Sequence, residues 1–304
     1  TASPLPASSI PLTRTIRLLP FFCPWVFLRS YWALISARET GNLEISKTIM
    51  SPIPAERTQE FTFTVTANDV TLSGDFAAVR KAADGTETDE TVTLTASEAT
   101  VTVAGGETLT IKGLPSAVTY TVTETADGNF LVDPESASKD VEVAANETVT
   151  AAFTNTRKTG NLSVTKEVIN KNGTNTAKEF EITVTLEDDT IDGEFGDEGT
   201  SMTFVKGVAT FTLKDGETKT ATGLPSGIGY TVAETADDGF VTTYENVTDE
   251  TVEVGDDAGG QTDSNPAGET EGISGTIVVD ETKSVKVINT YLTEGEYAIE
   301  VKKV

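Results

Sequence analysis

The sequence of 304 residues contains no histidine and only one cysteine, Cys23. Histidine is the usual general base of enzymes and the commonest metal ligand, so both roles lack their ordinary residue. A single cysteine cannot form a disulfide within the chain. The sequence presents no Ser-His-Asp, Cys-His or metal-ligand set, and we predict a protein that turns over no external substrate and uses no cofactor or metal.

Basic residues are scarce. Lys and Arg number 22 against 48 Asp and Glu, which gives a formal net charge of −26 and a pI of about 4.2. Such an excess of negative charge disfavours binding to nucleic acids and to anionic membrane surfaces. The acidic clusters at 188–192 and 256–257 lack the spacing and the terminal glutamate of an EF-hand loop, so we interpret them as solvated loops. We therefore predict neither a nucleic acid partner nor a small-molecule substrate.

Residues 1–38 contain no acidic residue and differ in composition from the rest of the chain. An apolar run at 18–28 follows two arginines and precedes small residues, an arrangement that resembles a secretory signal. The segment fits that pattern poorly, and it fits a transmembrane helix equally poorly, because it contains Pro20, Pro24 and Arg29. Three interpretations stay open: a degenerate signal or anchor, a leader that is not native to the protein, and an element that packs in the fold or in an assembly.

From residue 39 onward the sequence is an internal repeat, which predicts one domain at 39–157 and a second at 158–292. Four motifs recur in the same order. They are GNLEISK at 41–47 and GNLSVTK at 160–166, GLPS at 113–116 and 223–226, YTVTE at 120–124 and YTVAE at 230–234, and FTNT at 153–156 and VINT at 287–290. Internal repetition of this length indicates two copies of one structural unit.

Short runs that alternate between apolar and polar residues fill both repeats, as at 43–47, 61–65 and 120–123. Alternation with period two and many β-branched residues is typical of half-buried strands. Asp-Gly and Gly-Gly pairs between the runs indicate turns. Because no stretch has a sustained helical period, we predict an all-β chain of two sandwiches in tandem.

Spacing distinguishes the two repeats. The lysine and glutamate of the motifs are 77 residues apart in the first repeat (124 − 47) and 68 in the second (234 − 166). The glutamate and asparagine are 31 apart (155 − 124) and 55 apart (289 − 234). The added length falls in a Gly- and Asp-rich stretch at 255–272, which predicts a surface loop. The connection between the repeats is short, which predicts a semi-rigid link.

Each repeat places a lysine, a glutamate and an asparagine within alternating strands. Parity puts Lys47 and Lys166 on the same face as the apolar residues before them, where an isolated ammonium is costly to bury. One interpretation is a buried salt bridge with a nearby amide. The other is an amide formed between the lysine amine and the asparagine side chain with loss of ammonia. Burial favours the neutral amine that must attack, and a protonated glutamate could polarise the carboxamide and carry protons.

These motifs resemble those of collagen-adhesin B-type (Cna-B, SpaA-like) domains of Gram-positive pilins and surface adhesins. The matching parts are the Leu-x-Ile/Val-x-Lys opening, the Gly-Leu-Pro-Ser turn, Tyr-Thr-Val-x-Glu, and the closing Asn. The resemblance covers about residues 40–291 and implies immunoglobulin-like (Cna-B type) β-sandwich domains. It implies catalytic roles for Glu124 and Glu234, and it implies these isopeptide cross-links: Lys47 with Asn155, and Lys166 with Asn289.

The resemblance also implies a function. We expect a structural subunit of a bacterial surface pilus or adhesin stalk, located extracellularly, at the cell surface or in a cell-wall-attached pilus. Its partners would be other copies of itself or other pilus subunits. The alternative is a ligand-binding adhesin that recognises a host surface ligand through the 255–272 loop. On either interpretation the protein is not an enzyme, apart from a single self-cross-linking turnover in each domain.

The tail at 293–304 contains no LPxTG-type sorting motif. Ile299, Val301 and Lys303 repeat the spacing of the apolar residues and lysine in the opening motifs. This similarity leaves three interpretations open: the start of a third repeat, a strand donated to a neighbouring subunit, and a plain edge strand.

Overall fold

The computed structural model describes residues 38–169, 177–247 and 272–291. Three predicted features therefore lie outside the described residues. They are the leader at 1–38 apart from Arg38, the loop at 255–272 apart from Gly272, and the tail at 293–304.

The first repeat forms ten strands and one short 3-10 turn at Pro54–Thr58. The strands are β1 (Thr40–Met50), β2 (Glu60–Ala67), β3 (Gly74–Lys81), β4 (Glu87–Leu94), β5 (Glu98–Ala104), β6 (Thr108–Pro115), β7 (Thr119–Glu124), β8 (Phe130–Asp133), β9 (Ser138–Glu142) and β10 (Thr148–Arg157). A six-stranded sheet in the order β4-β3-β6-β1-β10-β8 faces a four-stranded sheet in the order β5-β2-β7-β9. We call this unit the first sandwich.

The second repeat forms another ten strands within its described residues. They are β11 (Thr159–Ile169), β12 (Phe180–Leu186), β13 (Gly193–Phe195), β14 (Met202–Phe204), β15 (Val208–Leu213), β16 (Thr218–Pro225), β17 (Gly229–Glu234), β18 (Phe240–Val247), β19 (Ile273–Thr276) and β20 (Thr282–Tyr291). The sheets have the orders β16-β11-β20-β18 and β15-β12-β17-β19, with β13 and β14 as a separate hairpin. This second sandwich confirms the predicted all-β fold of two tandem sandwiches.

The alternating sequence pattern builds both cores. In β2, Phe61, Phe63 and Val65 are buried, while the threonines between them lie on the outer face. Phe63 contacts Phe153 of the facing sheet edge-to-face, with ring centroids 5.1 Å apart. Burying a large apolar side chain contributes about 1.5–3 kcal/mol. A strand slipped by one residue would lose this burial, so the pattern also fixes which residues point inward.

The first and last strands of each sandwich are parallel neighbours. β1 pairs with β10 so that Lys47 lies opposite Phe153. β11 pairs with β20 so that Lys166 lies opposite Val287. In both pairs the motif asparagine follows two positions later on the partner strand and shares the inner face with the lysine.

The Gly-Asn-Leu openings fit a close approach of β1 and β11 to the connections that precede β10 and β20. A Cβ atom at Gly41 would stand 2.1 Å from the carbonyl oxygen of Ala144, and one at Gly160 would stand 2.0 Å from that of Val278. Any larger residue would force the backbones apart. The next residue, Asn42, accepts a hydrogen bond from Gly113 N at 3.3 Å and donates to Thr148 Oγ1 at 3.1 Å. Its side chain thereby joins three strands.

The predicted Gly-Leu-Pro-Ser turn is wrong in its placement, because the first three residues of each motif are the end of a strand. Gly113 lies within β6 at a φ of 71°, and Gly223 lies within β16 at a φ of 78°. At these positions the register with β1 and β11 shifts in a bulge. Leu114 is buried after the bulge, so the motif re-aims an apolar residue into the core.

The shorter lysine-to-glutamate spacing of the second repeat corresponds to a smaller hairpin. In the first sandwich, β3 and β4 have 8 residues each, and β3 joins the large sheet through β6. In the second, β13 and β14 have 3 residues each. The site strands β11, β12, β17 and β20 keep the pairing of their counterparts despite this difference.

The connection between β10 and β11 is the single residue Lys158. Arg157, at the end of β10, is buried and donates hydrogen bonds to Ser226 O at 2.7 Å and Asn129 O at 3.1 Å. Its Nε lies 3.0 Å from Glu56 Oε1. Ile53, from the segment after β1, packs in the apolar cluster of the second sandwich. The junction is therefore a packed joint rather than a loose tether.

Candidate functional site

Three side chains from two sheets meet in the core of the first sandwich. Lys47 on β1 and Asn155 on β10 point inward from the six-stranded sheet, and Glu124 at the end of β7 reaches them from the facing sheet. Lys47 Nζ lies 2.8 Å from Glu124 Oε2. Asn155 Nδ2 donates a hydrogen bond to Glu124 Oε1 at 2.6 Å. One glutamate thus contacts both the amine and the amide, and we call these residues the first centre.

The second sandwich contains the same arrangement, which we call the second centre. Lys166 Nζ lies 2.8 Å from Glu234 Oε2, and Asn289 Nδ2 donates to Glu234 Oε1 at 2.6 Å. Lys166 also donates to the carbonyl oxygen of Val287 at 3.3 Å. The structure therefore brings together all six residues that the sequence singles out, three in each sandwich.

Both centres are buried. The exposed fraction is 2% for Lys47 and Glu124 and 0% for Asn155. It is 0% for Lys166 and Asn289 and 4% for Glu234. Within the described part of the chain, the carbonyl oxygens of both asparagine side chains accept no hydrogen bond. An unpaired buried carbonyl is unusual.

Aromatic rings line each lysine. Lys47 Nζ lies 4.3 Å from the centroid of the Phe61 ring, and Lys166 Nζ lies 4.6 Å from that of Phe180. Burial lowers the pKa of Lys47 below its ordinary value, an effect that the carboxylate of Glu124 opposes. Burial likewise lowers the pKa of Lys166, opposed by Glu234 and by Asp215. A lowered pKa makes the neutral amine easier to form.

Each centre holds the components of an acyl transfer. A neutral amine is a nucleophile, a carboxamide carbon is an electrophile, and a carboxyl group that contacts both can carry a proton between them. The same contacts also describe a buried ion pair with a hydrogen-bonded amide, which by itself contributes little net stability.

Some residues around the centres were not predicted from the sequence. Tyr244 and Thr242 on β18 contact Glu234, and the described residues of the first sandwich have no equivalent side chains. Their alternation with Phe240 indicates an inward-facing strand. Nothing in the sequence reveals that this strand lies beside β20.

The described residues contain no helix that is long and apolar enough to cross a membrane. In the same part of the chain, no three His, Cys, Asp or Glu side chains cluster in a way that could hold a metal ion.

A family model described as "Domain of unknown function (DUF7601)" matches residues 41–157 and again residues 160–291. The chain belongs to the DUF7601 family. Both matches span a complete lysine, glutamate and asparagine set, so this chain contains two DUF7601 domains with one centre each. A search of curated proteins gave no match.

Several solved structures are similar to this DUF7601 chain. The major pilin protein (T-13) of Streptococcus pyogenes is 20% identical over 83% of this chain and 98% of its own, with a TM-score of 0.43. Another structure of the major pilin of that organism is 19% identical over 84% and 99%, with a TM-score of 0.45. The pilus-presented adhesin Spy0125 (Cpa) is 18% identical over 58% and 38%, with a TM-score of 0.35. Similarity at this level carries no information about function.

Proposed function

We propose that each DUF7601 domain of this chain cross-links itself through an amide between its inward lysine and asparagine. The chain would then serve as a structural subunit of a bacterial surface pilus or adhesin stalk. The observation that supports this proposal most strongly is that one buried glutamate contacts both the lysine amine and the asparagine amide. This contact occurs twice, in the same strand register.

The proposed reaction balances within each centre. The Lys47 ammonium transfers a proton to the Glu124 carboxylate, which leaves a neutral amine and a carboxylic acid. The amine nitrogen attacks Cγ of Asn155 and forms the new C–N bond. Glu124 donates its proton to the leaving Nδ2, the C–Nδ2 bond breaks, and ammonia departs. The surplus proton of the attacking nitrogen passes to Glu124, which ends as a neutral acid. Lys166, Glu234 and Asn289 would follow the same steps.

Burial and register favour this reaction over a permanent ion pair. Desolvation opposes the charged amine, and the ion pair offers a direct route for the proton. Strand pairing holds the groups together, and fixed geometry can be equivalent to about 10⁵–10⁸ M of reactant.

The position of the proposed cross-link suits a protein that carries mechanical tension. The chain enters the first sandwich at the start of β1 and leaves it at the end of β10, and these strands are parallel neighbours. A bond between Lys47 and Asn155 would carry tension from one strand to the other. The 108 positions between them (155 − 47) would then bear little force. The second centre would act in the same way between β11 and β20.

A stalk or pilus role also agrees with the composition. The net charge of −26 keeps a long-lived extracellular protein soluble and disfavours nucleic acid as a partner. We infer an extracellular location, at the cell surface or in a cell-wall-attached pilus, with copies of the chain or other pilus subunits as partners. The alternative of host-ligand binding by the 255–272 loop stays a prediction without a supporting observation.

Intact-mass measurement tests the chemistry. Loss of ammonia removes about 17 Da for each bond, so the folded chain is expected to be about 34 Da lighter than its sequence mass. A folded protein with the full sequence mass would rule out both cross-links. A loss of about 17 Da would restrict the proposal to one sandwich.

A further inference from the structure

Two hydroxyl side chains of β18 contact Glu234 in the second centre. The backbone N–H of Glu234 donates a hydrogen bond to the Tyr244 hydroxyl at 2.9 Å. The Thr242 hydroxyl donates to Glu234 Oε1 at 3.4 Å. Thr242 lies opposite Asn289 in the ladder between β18 and β20, and Tyr244 lies opposite Val287. Both side chains therefore point from β18 toward Glu234 on the facing sheet.

The first centre is built differently at the same positions. Its counterpart of β18 is β8, which ends at Asp133. There, Val132 lies opposite Asn155, so an apolar side chain replaces the threonine hydroxyl. The N–H of Glu124 donates instead to the carbonyl oxygen of Ala137 at 2.8 Å. In the first sandwich a backbone carbonyl accepts the hydrogen bond from the glutamate N–H, and in the second sandwich a tyrosine hydroxyl accepts it.

The geometry of β17 directs the N–H of Glu234 toward the side on which the Tyr244 hydroxyl accepts its hydrogen bond. The neighbouring N–H of Thr235 donates to Glu181 on the β12 side. Successive N–H groups of a strand point in opposite directions, so the N–H of Glu234 faces away from β12. Within the described residues, the ladder from β17 to β19 ends at the pair of Val232 and Ile273. Without Tyr244, this buried N–H would lose the hydrogen bond that it makes in the structure.

We propose that Tyr244 is a positioning residue for Glu234 and that Thr242 assists it by orienting the carboxylate. The proposal rests on the cross-linking function proposed above. Tyr244 fixes the backbone from which the Glu234 side chain extends and takes no part in bond making. Because burial raises the pKa of Tyr244, the phenol stays neutral at physiological pH and can accept the hydrogen bond from the N–H of Glu234. Formation of the second cross-link thereby depends on side chains of β18, whereas formation of the first cross-link does not depend on side chains of β8.

The test follows both cross-links in one molecule during cell-free synthesis. Samples are quenched in acid over time, digested, and analysed by mass spectrometry for the peptides that carry Lys166 joined to Asn289 and Lys47 joined to Asn155. The variants are Tyr244→Phe, which removes only the hydroxyl, and Thr242→Val, which installs the residue type of the first centre. Tyr230→Phe is the matched control, since Tyr230 is buried on the same strand as Glu234 but four positions away.

For Tyr244→Phe we expect the second cross-link to form about tenfold more slowly, which is the effect of losing one buried hydrogen bond. The first cross-link should form at the wild-type rate in the same molecules, and that result also verifies folding of the first sandwich. Thr242→Val should slow the second cross-link less than Tyr244→Phe does. Tyr230→Phe should have no effect on either bond.

Two outcomes separate this proposal from the one on which it rests. If the wild-type chain forms no bond between Lys166 and Asn289, the proposed function of the second sandwich fails. If the wild-type chain forms it and Tyr244→Phe forms it with the same time course, the positioning role is wrong. The positioning role is equally wrong if the reaction is complete in both proteins at the first sample. If Tyr244→Phe unfolds the second sandwich, as judged by protease sensitivity, the result for Thr242→Val decides: an unchanged rate there overturns the proposal.

Discussion

Lys47 lies opposite Phe153 on the parallel strand β10, two positions before Asn155, and the ammonium of Lys47 and the amide of Asn155 contact the same carboxylate. The lysine and the asparagine therefore belong to one sheet, and the glutamate bridges to the other. Lys166 and Asn289 have the same offset in the second sandwich. This relationship connects strand topology to the proposed chemistry, since a different register would separate the reacting groups.

Glu124→Gln is expected to abolish the first cross-link and leave the second intact, because the amide cannot accept the lysine proton. The measured mass loss should fall from about 34 Da to about 17 Da. Glu135→Gln is the control, since Glu135 is exposed and lies outside the centre. A full mass loss in Glu124→Gln would show that the glutamate is dispensable.

Asn155→Ala is expected to lower the stability of the first sandwich without abolishing its fold. The substitution removes the electrophile and its hydrogen bond to Glu124 but leaves the ion pair of Lys47 and Glu124. A loop of about 100 residues closed by a cross-link stabilises by about 4–5 kcal/mol on a chain-entropy model. Calorimetry and protease resistance measure the change. An unfolding temperature equal to that of the wild type would contradict the account.

The uncross-linked lysine predicts a pH dependence. In Asn155→Ala the pKa of Lys47 in the folded state lies below its unfolded value of 10.5. Between these two values the unfolded chain binds more protons, so the free energy of unfolding rises with pH, by at most about 1.4 kcal/mol per pH unit. At a pH below the folded pKa of Lys47, the free-energy cost of burying the charged amine is fully present. Above pH 10.5 the amine is neutral in both states, and this cost is gone.

The control for this pH dependence is the double variant Lys47→Met, Asn155→Ala, which lacks the titrating amine. Denaturant unfolding of both variants between pH 7 and the alkaline limit of folding gives the difference. Parallel stability curves for the two variants would mean that burial does not shift the pKa of Lys47.

Arg157→Ala is expected to loosen the joint between the sandwiches. The change removes hydrogen bonds to Ser226 and Asn129 and leaves Glu56 without this partner. Charge-assisted hydrogen bonds contribute about 1.5–3 kcal/mol each when one partner is lost. We expect faster cleavage of the segment between β10 and β11 by a protease that does not depend on lysine or arginine. Lys158→Ala, which loses one exposed hydrogen bond, is the control. Equal proteolysis in both variants would argue against a structural role for Arg157.

Local pattern was enough to predict much of the fold and of the centres. Alternation gave the strands, and parity placed Lys47 and Lys166 inward, where the structure has them buried. The register could not be predicted, because it depends on the pairing of strand segments more than 100 positions apart (155 − 47). The contact of Glu124 with both partners depends in turn on how the two sheets face each other.

Other features could not be predicted from the sequence, because no local pattern marks them. The Gly-Leu-Pro-Ser motif has the composition of a turn, but pairing with β1 extends β6 through Gly113 to Pro115. In the sequence Tyr244 cannot be told from an ordinary core residue, and the fold brings its hydroxyl to the N–H of Glu234. Both the extension of β6 and the contact of Tyr244 depend on how separate strands come together in the fold.

Tryptic peptide mapping of the folded wild-type chain, after denaturation, tests the central claim most directly. Trypsin does not cleave after a lysine whose amine is acylated. We predict no cleavage after Lys47 or Lys166, and two branched peptides that join them to the peptides of Asn155 and Asn289, each lighter by about 17 Da. Cleavage after both lysines, with unmodified peptides for both asparagines, would contradict the account.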